Sequence, residues 1–274
     1  MTSSGIDPAA HMSWSFDPSI PQAARVYDAW LGGKDHYAAD REAAMTVIQL
    51  RPQVIATAWA NRRFLGRAIR YMIQRHGMSQ FLDIGTGMPT RENTHEIAQR
   101  FEPRSRVVYA DSNPMVMTHA RALLISGPEG DCAYIHSDLR DAEYILGQAA
   151  RTLDFTQPVG VLLLAVLHFI PDADDPAGII AALASALAPG SLIAISHLTG
   201  DFAPEAVRAA ADAYNKAVPT PVTPRTNAQV TELFAGLSLV APGVVPVSEW
   251  RPDTVVCQAV DLYGGVARKA IRRL

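Results

Sequence analysis

Cysteine is almost absent: the 274 residues hold only Cys132 and Cys257. Two thiols so far apart exclude a disulfide framework, and neither stands in zinc-ligand spacing. A zinc-protease helix begins at His95 with "HEIAQ", but Gln99 stands where the second histidine is needed, so no metal is expected. Lysine is scarce as well: of 24 basic residues only Lys34, Lys216 and Lys269 are lysines. Against 27 acidic residues the net charge is -3. No basic field therefore draws the chain to nucleic acid or to an acidic membrane. Long apolar runs are missing too. The longest, "VGVLLLAVL" from Val159, is far short of the roughly 20 residues of a membrane span. No basic start leads into an apolar segment, so neither a signal peptide nor a membrane partner is expected, and a cytoplasmic location is.

What is present is ample apolar material, 49% of the chain, enough for one large core with a cap. Residues 1–18 are polar and small, and are expected to be flexible. Residues 19–76 read as a helical cap or lid. Within them Ile55, Trp59, Phe64, Leu65, Ala68, Ile69 and Met72 form an apolar stripe, with Gly77 as the helix stop.

From residue 77 to 274 strands alternate with helices. "QFLDIG", "RVVYAD", "CAYIHSD", "VGVLLLAVLHFI" and "SLIAISHL" read as strands. The fourth is apolar throughout and so is expected to be buried on both faces. The helix "ENTHEIAQRF" carries a capping box at Asn93 and Glu96. This alternation predicts an α/β fold: a doubly wound, Rossmann-like, mostly parallel sheet behind an N-terminal helical cap. An insertion over about 200–226 breaks the rhythm. A last strand or strand pair is expected in "TVVCQAVDLYGGVARK".

The chemistry gathers at the strand ends. Gly85 and Gly87 in "FLDIGTGMPT" let the backbone turn tightly beside a ligand. Asp83, Asp111 and Asp138 close three successive strands and point at one crevice. A dinucleotide site wants a third small residue where Thr90 stands, and Asp83 would repel a pyrophosphate. S-adenosyl-L-methionine carries no phosphate. Its ammonium suits Asp83, and its carboxylate suits loop amides at a helix start. Asp111 suits ribose hydroxyls and Asp138 an adenine amino group. Thr86, Ser112 and Leu139, beside these residues, complete the candidate cofactor contacts.

These motifs are familiar. "LDIGTG", "YADSNPMV", "HSDLRD" and "LLLAVLHFIPD" resemble the successive motifs of class I S-adenosylmethionine-dependent methyltransferases. More narrowly, "ARVYDAWLGGKDHYAAD", "NRRFLGRAIR", "QFLDIGTGMPT", "APGSLIAISH" and "YGGVARK" resemble a bacterial methyltransferase-like family of unknown function. The resemblance runs nearly the whole chain. It implies a seven-stranded sheet with an antiparallel last strand, and cofactor contacts at Asp83, Gly85, Gly87, Asp111 and Asp138. It names no acceptor. Met88-Pro89 departs from the wider pattern, which places Thr90 or Asn93 as alternative partners of the cofactor carboxylate.

The leading expectation is methyl transfer to a small-molecule acceptor. The alternative is a protein that binds S-adenosylmethionine or its demethylated product and regulates. No catalytic residue is assignable from sequence. His168 could be a general base or could pack beside Phe169, whereas His197 reads as structural. Arg62-Arg63 read as a solvated helix face. Tyr214, Arg225 and Trp250 could line a pocket, with Trp250 equally a core anchor. Asp172, Asp174 and Asp175 read as a loop cluster rather than a metal site.

Gly32-Gly33-Lys34 interrupts a helical stretch, where two glycines cost about 2 kcal/mol against alanine. Helix-like "RVYDAWL" before it and Asp35 after it exclude a phosphate loop. The glycines instead read as a break between two helices. Tyr27-Asp28 resembles a pair that some class I methyltransferases place over their cofactor. The segment is therefore expected to be a lid, with Tyr27 and Tyr37 excluding water and Lys34 meeting the cofactor carboxylate or the substrate. The plainer reading is a helix pair that only packs on the core.

Overall fold

A computed structural model describes residues 17–254 and 260–270. All but the last two residues of the 1–18 segment, expected from sequence to be flexible, lie outside the described residues, as do Cys257 and the start of the last-strand segment.

Three helices open the described chain: α1 (Ala23–Trp30), α2 (Ala38–Leu50) and α3 (Gln53–His76). The break after α1 follows the double glycine. Gly32 has φ +72°, and a Cβ on Gly33 would lie 1.8 Å from Asp28 Oδ1. Asp28 closes this turn by accepting from the Asp35 amide at 3.0 Å and by pairing with His36 Nδ1 at 2.8 Å. The fully buried Asp40 joins the two helix starts. It accepts from the Gln22 amide (2.9 Å), the Tyr37 amide (2.8 Å) and Arg25 Nε (2.7 Å).

Five parallel strands follow: β1 (Gln80–Ile84), β2 (Arg106–Asp111), β3 (Asp131–His136), β4 (Gly160–Leu164) and β5 (Leu192–Leu198). Between them run α4 (Thr94–Phe101), α5 (Pro114–Leu123), α6 (Ala142–Ala149) and α7 (Pro176–Ala186). Then come α8 (Pro204–Ala217), α9 (Asn227–Glu232), two short strands β6 (Ser238–Leu239) and β7 (Val245–Pro246), and β8 (Leu262–Arg268). The sheet order is β3-β2-β1-β4-β5-β8-β6, with β8 antiparallel to β5. Both β6 and β7 pair with one edge of β8, at its opposite ends. Among the described residues eight strands thus fill seven positions, because the sixth is split in two.

Side-chain alternation explains why both faces are covered. Phe81, Val107, Tyr109, Leu162 and Ala194 face one core together with α3, α4 and α5. Leu82, Val108, Val161, Leu163 and Ile193 face the other with α6 and α7. A third cluster joins Val26, Ala44 and Val47 of α1 and α2 to Ala210, Ala211 and Tyr214 of α8. The inserted α8 and the N-terminal helices therefore form one roof.

Two sequence expectations are corrected. The fourth strand stops at Leu164 rather than running to Ile170. Ala165 takes φ +53° and its amide bonds to Ser196 Oγ at 2.9 Å, which turns the chain into a short 3-10 turn over Leu167–Phe169. The α3 stripe is buried only from Phe64 onward, while Ile55 and Trp59 are exposed. In the first turns of α3 a different face turns inward: Thr57, Ala58 and Ala60 are buried, and Val54 packs against the cluster of α1, α2 and α8.

Candidate functional site

A cavity of about 640 Å³ opens between the roof and the carboxyl ends of the strands, within the range of small-molecule sites. Asp83, Gly85, Thr86 and Gly87 line it from β1 and its loop. Asp111 and Ser112 line it from β2, and Asp138 and Leu139 from the β3 loop. Tyr27 lines it from α1.

The loop after β1 is shaped by two left-handed glycines. A Cβ on Gly85 (φ +78°) would lie 2.5 Å from Val166 Cγ2. At Gly87 (φ +68°) it would meet nothing within 4 Å. The backbone there borders open space, where a ligand can approach it closely.

Asp83 is buried, and its Oδ2 accepts from the Thr94 hydroxyl at 2.6 Å. Desolvation lifts its carboxyl to about 6, against the lowering effects of Thr94 and Arg62; Asp111 adds to the rise. Asp111 is likewise raised by burial, while its two oxygens accept from the Gly87 amide (3.0 Å) and the Asn113 amide (2.8 Å). Asp138 is exposed and pairs with Arg140 at 3.0 Å, and Arg140 continues to Asp174 at 2.6 Å.

Lys34 and Tyr37 are exposed and lie outside the cavity lining. The lid expectation is corrected there: Tyr27 alone of the three faces the cavity. Its hydroxyl donates to the Ala58 carbonyl (3.1 Å) and accepts from Asn61 Nδ2 (3.1 Å). Asn61 Oδ1 accepts from Ser196 Oγ at 2.7 Å. One chain of bonds thus ties α1 through α3 to β5.

Thr90 and Asn93 bond each other, Thr90 amide to Asn93 Oδ1 at 3.0 Å, and stand outside the lining. The cation at that end is Arg62, which lines the cavity and donates to the Glu92 carbonyl at 2.7 Å. Its reading as part of a solvated face is corrected. Ala58, Asn61, Arg62 and Leu65 all line the cavity. Their spacing of i, i+3, i+4 and i+7 is a helical stripe that the sequence carried and that the apolar pattern obscured.

Arg225 and Trp250 also stand outside the lining. Arg225 is buried and saturated. It donates to the Leu167 carbonyl (3.1 Å), the Ile170 carbonyl (2.8 Å), Asp172 (2.6 Å) and His197 Nε2 (2.7 Å). Trp250 packs in the core against Phe64 and Tyr71. His197 spends both nitrogens on Arg225 and the Leu198 carbonyl, which fits a structural part. Asp175 caps α7 by accepting from the Gly178 amide at 3.0 Å. The three acidic loop residues thus each have a partner. On the far wall Arg51 grips Asp261 with two bonds, 2.7 and 2.9 Å, and both residues line the cavity. This pair was not found from sequence, because its members are 210 residues apart.

A mostly parallel sheet in this order, with acids at three strand ends and a Gly-Thr-Gly turn above one crevice, is a nucleoside-binding α/β architecture, and it is the one the resemblance to class I S-adenosylmethionine-dependent methyltransferases implies. The family model described as S-adenosyl methyltransferase matches residues 9–270, and the chain belongs to that family. It is similar to a DUF574 family protein from Streptomyces avermitilis, with 42% identity over 92% of this chain and 99% of that one and a TM-score of 0.88. It is also similar to a protein of Thermobifida fusca described as a methyltransferase, with 36% identity over 97% and 100% of the two chains and a TM-score of 0.85. The plantazolicin methyltransferase BpumL, solved with SAH, shares the fold at 13% identity, 89% and 94% coverage and a TM-score of 0.52. No curated protein sequence matches the chain. The protein is an S-adenosylmethionine-dependent methyltransferase. No described helix is long and apolar enough to cross a membrane.

Proposed function

We propose that the crevice residues Asp83, Gly85, Thr86, Gly87, Asp111, Ser112, Asp138 and Leu139 hold S-adenosylmethionine, and that the rest of the cavity takes a small-molecule acceptor. The observation that carries this reading is that all eight line one cavity, with a buried, ion-pair-free carboxylate at Asp83 and open space above Gly87. A desolvated acid suits an ammonium group, which would restore its ordinary acidity. Asp111 has further lone pairs for ribose hydroxyls. The Asp138–Arg140 pair is exposed, and exchanging it for an adenine contact costs about 0–1 kcal/mol.

The bound cofactor supplies an electrophilic methyl group on a positively charged sulfur. The chain has to align an acceptor and exclude water. Helices α1 and α2 with α8 act as the roof, so residues 19–50 and about 200–226 form the cap, and the sheet with α3 to α7 forms the core. Tyr27, tied to Ala58 and Asn61, closes the roof over the crevice.

The test is calorimetry with S-adenosylmethionine, followed by incubation with the cofactor and an acceptor library and mass-spectrometric detection of S-adenosylhomocysteine. Binding below the micromolar range and product release are expected. Tighter binding of NADH than of S-adenosylmethionine would overturn the assignment.

A further inference from the structure

Beyond the crevice, the cavity is walled by a succession of rings. Tyr27 and Trp30 lie 6.2 Å apart, Trp30 and Tyr214 6.4 Å, Tyr214 and Phe169 6.5 Å, and Phe169 and His168 4.4 Å. All five line the cavity, and they come from α1, α8 and the turn after β4. Such spacings are those of packed aromatic pairs.

This chamber is electrically neutral. Apart from Arg62 at the crevice end beside Asp83, the wall away from the crevice loops carries Arg51 and Asp261, and these two neutralise each other. Much of the remaining lining there is apolar, with Val47, Val54, Ala210 and Ala211 among it, and its polar side chains, Thr57, Asn61 and Thr220, carry no charge. A charged acceptor would give up its hydration without finding a counter-charge.

His168 differs from the other buried histidines. His95 bonds Tyr109, and His197 bonds Arg225 and Leu198. His168 is buried, yet its Nδ1 has no hydrogen-bond partner. Buried polar nitrogens are rarely left so. Desolvation first, then His197 and Arg225, hold its pKa well below the ordinary value, so the ring is neutral and keeps a lone pair. The backbone around it is locked. Arg225 bonds the carbonyls of Leu167 and Ile170, and the Thr223 amide bonds the carbonyl of His168 at 2.8 Å. A fixed, neutral imidazole with an unpartnered nitrogen, on a residue that lines the cavity, has a free lone pair with which to take a proton from a ligand hydroxyl held against it. Tyr214 adds a buried hydroxyl without a partner.

Building on the cofactor assignment above, we propose that this chamber binds a neutral hydroxyarene and that His168 accepts the proton of its hydroxyl group. The rings provide faces for a planar acceptor, and His168 meets its one polar atom. In the transfer the O–H bond breaks and its proton passes to His168. The oxygen pair forms the new O–C bond, and the C–S pair stays on sulfur, giving methyl ether and neutral thioether. His168 then returns its proton to water.

The test uses the full chain with 2-naphthol as probe, and 2-naphthoate and 2-naphthylmethylammonium as charged controls. Calorimetry on the protein saturated with S-adenosylmethionine is expected to show 2-naphthol binding at least about tenfold tighter than either control. His168→Gln, checked for an unchanged melting temperature, should retain naphthol binding within a few-fold and lose turnover by roughly 10²–10⁴-fold. That loss should shrink with 4-nitrophenol, which ionises without help. Should His168→Gln not fold, His168→Asn is measured in the same way. Absence of S-adenosylmethionine binding would overturn the cofactor assignment. Cofactor binding with naphthol no tighter than the charged controls would overturn the acceptor class alone. An equal loss for both phenols would overturn the role of His168.

Discussion

Asp83 and Thr94 share a hydrogen bond of 2.6 Å beneath the loop that turns on Gly85 and Gly87. The hydroxyl of the first residue of α4 thereby fixes the carboxylate at the end of β1. It is too little to offset burial, and the carboxyl of Asp83 sits at about 6 instead of 3.8. A folded-state value above the unfolded one means that folding takes up a proton. Stability is then greatest below about pH 4 and is lost as pH rises through about 6. At pH 7 the ionised group costs on the order of 3 kcal/mol. Asp83→Asn should therefore raise the melting temperature at pH 7.5 and leave it nearly unchanged at pH 4. The same variant should bind S-adenosylmethionine more weakly by at least about tenfold, if the carboxylate holds the ammonium. Thermal melts at the two pH values and calorimetry at pH 7.5 check both halves. A variant less stable at pH 7.5 would contradict the electrostatic account.

The two loop glycines should separate in their responses. Gly85→Ala places a methyl 2.5 Å from Val166 Cγ2 at φ +78°, so it meets both a clash and backbone strain. Gly87→Ala meets only the strain, about 1–2 kcal/mol, and its methyl enters the cavity. The melting temperature should fall more for Gly85→Ala. Gly87→Ala should keep most of its stability and lose affinity for S-adenosylmethionine. Equal melting temperatures would show that Val166 yields freely.

Much of this was legible in the sequence, for reasons that can be named. Short apolar strands alternate with helices along the chain, the pattern of a parallel sheet covered on both faces, and Asp83, Asp111 and Asp138 fall at the strand ends by chain position alone. The capping box at Asn93 and Glu96 forms as its spacing implies. Contacts between distant segments were not legible. The joining of α8 to α1 and α2, and the Arg51–Asp261 pair, depend on where the insertion folds back. Arg62 was misread because charge on a helix usually marks water, whereas here it marks a cavity. Lys34 was misread in the opposite direction. Its glycines make the turn as expected, but the turn points the lysine outward.

The Arg51–Asp261 pair should behave as a buried one. Asp261 is nearly inaccessible and its amide also bonds Thr57 Oγ1 at 3.1 Å. Arg51→Met leaves that carboxylate unpaired, at a cost of about 3–5 kcal/mol. Changing both residues, Arg51→Met with Asp261→Leu, should recover most of that loss. Urea unfolding of the two single variants and the double variant gives the coupling directly. Additive losses would show that the pair does not act as a unit.

Arg62 offers the sharpest test of how the crevice is oriented. It reaches the cavity from α3, is held by the Glu92 carbonyl at 2.7 Å, and is close enough to Asp83 to lower its pKa. A guanidinium beside a carboxylate suits a ligand that carries both charges, and the amino-acid end of S-adenosylmethionine is such a ligand. Adenosine lacks that end. Arg62→Ala should weaken S-adenosylmethionine and S-adenosylhomocysteine by about one to two decades, the worth of a charge-assisted bond. Adenosine should bind the parent and the variant alike, since Asp111 and Leu139 are untouched. Calorimetry with the three ligands separates the outcomes. If adenosine weakens as much as the other two, Arg62 supports the loop through Glu92 rather than the ligand. If none weakens, the carboxylate of the cofactor lies elsewhere in the cavity.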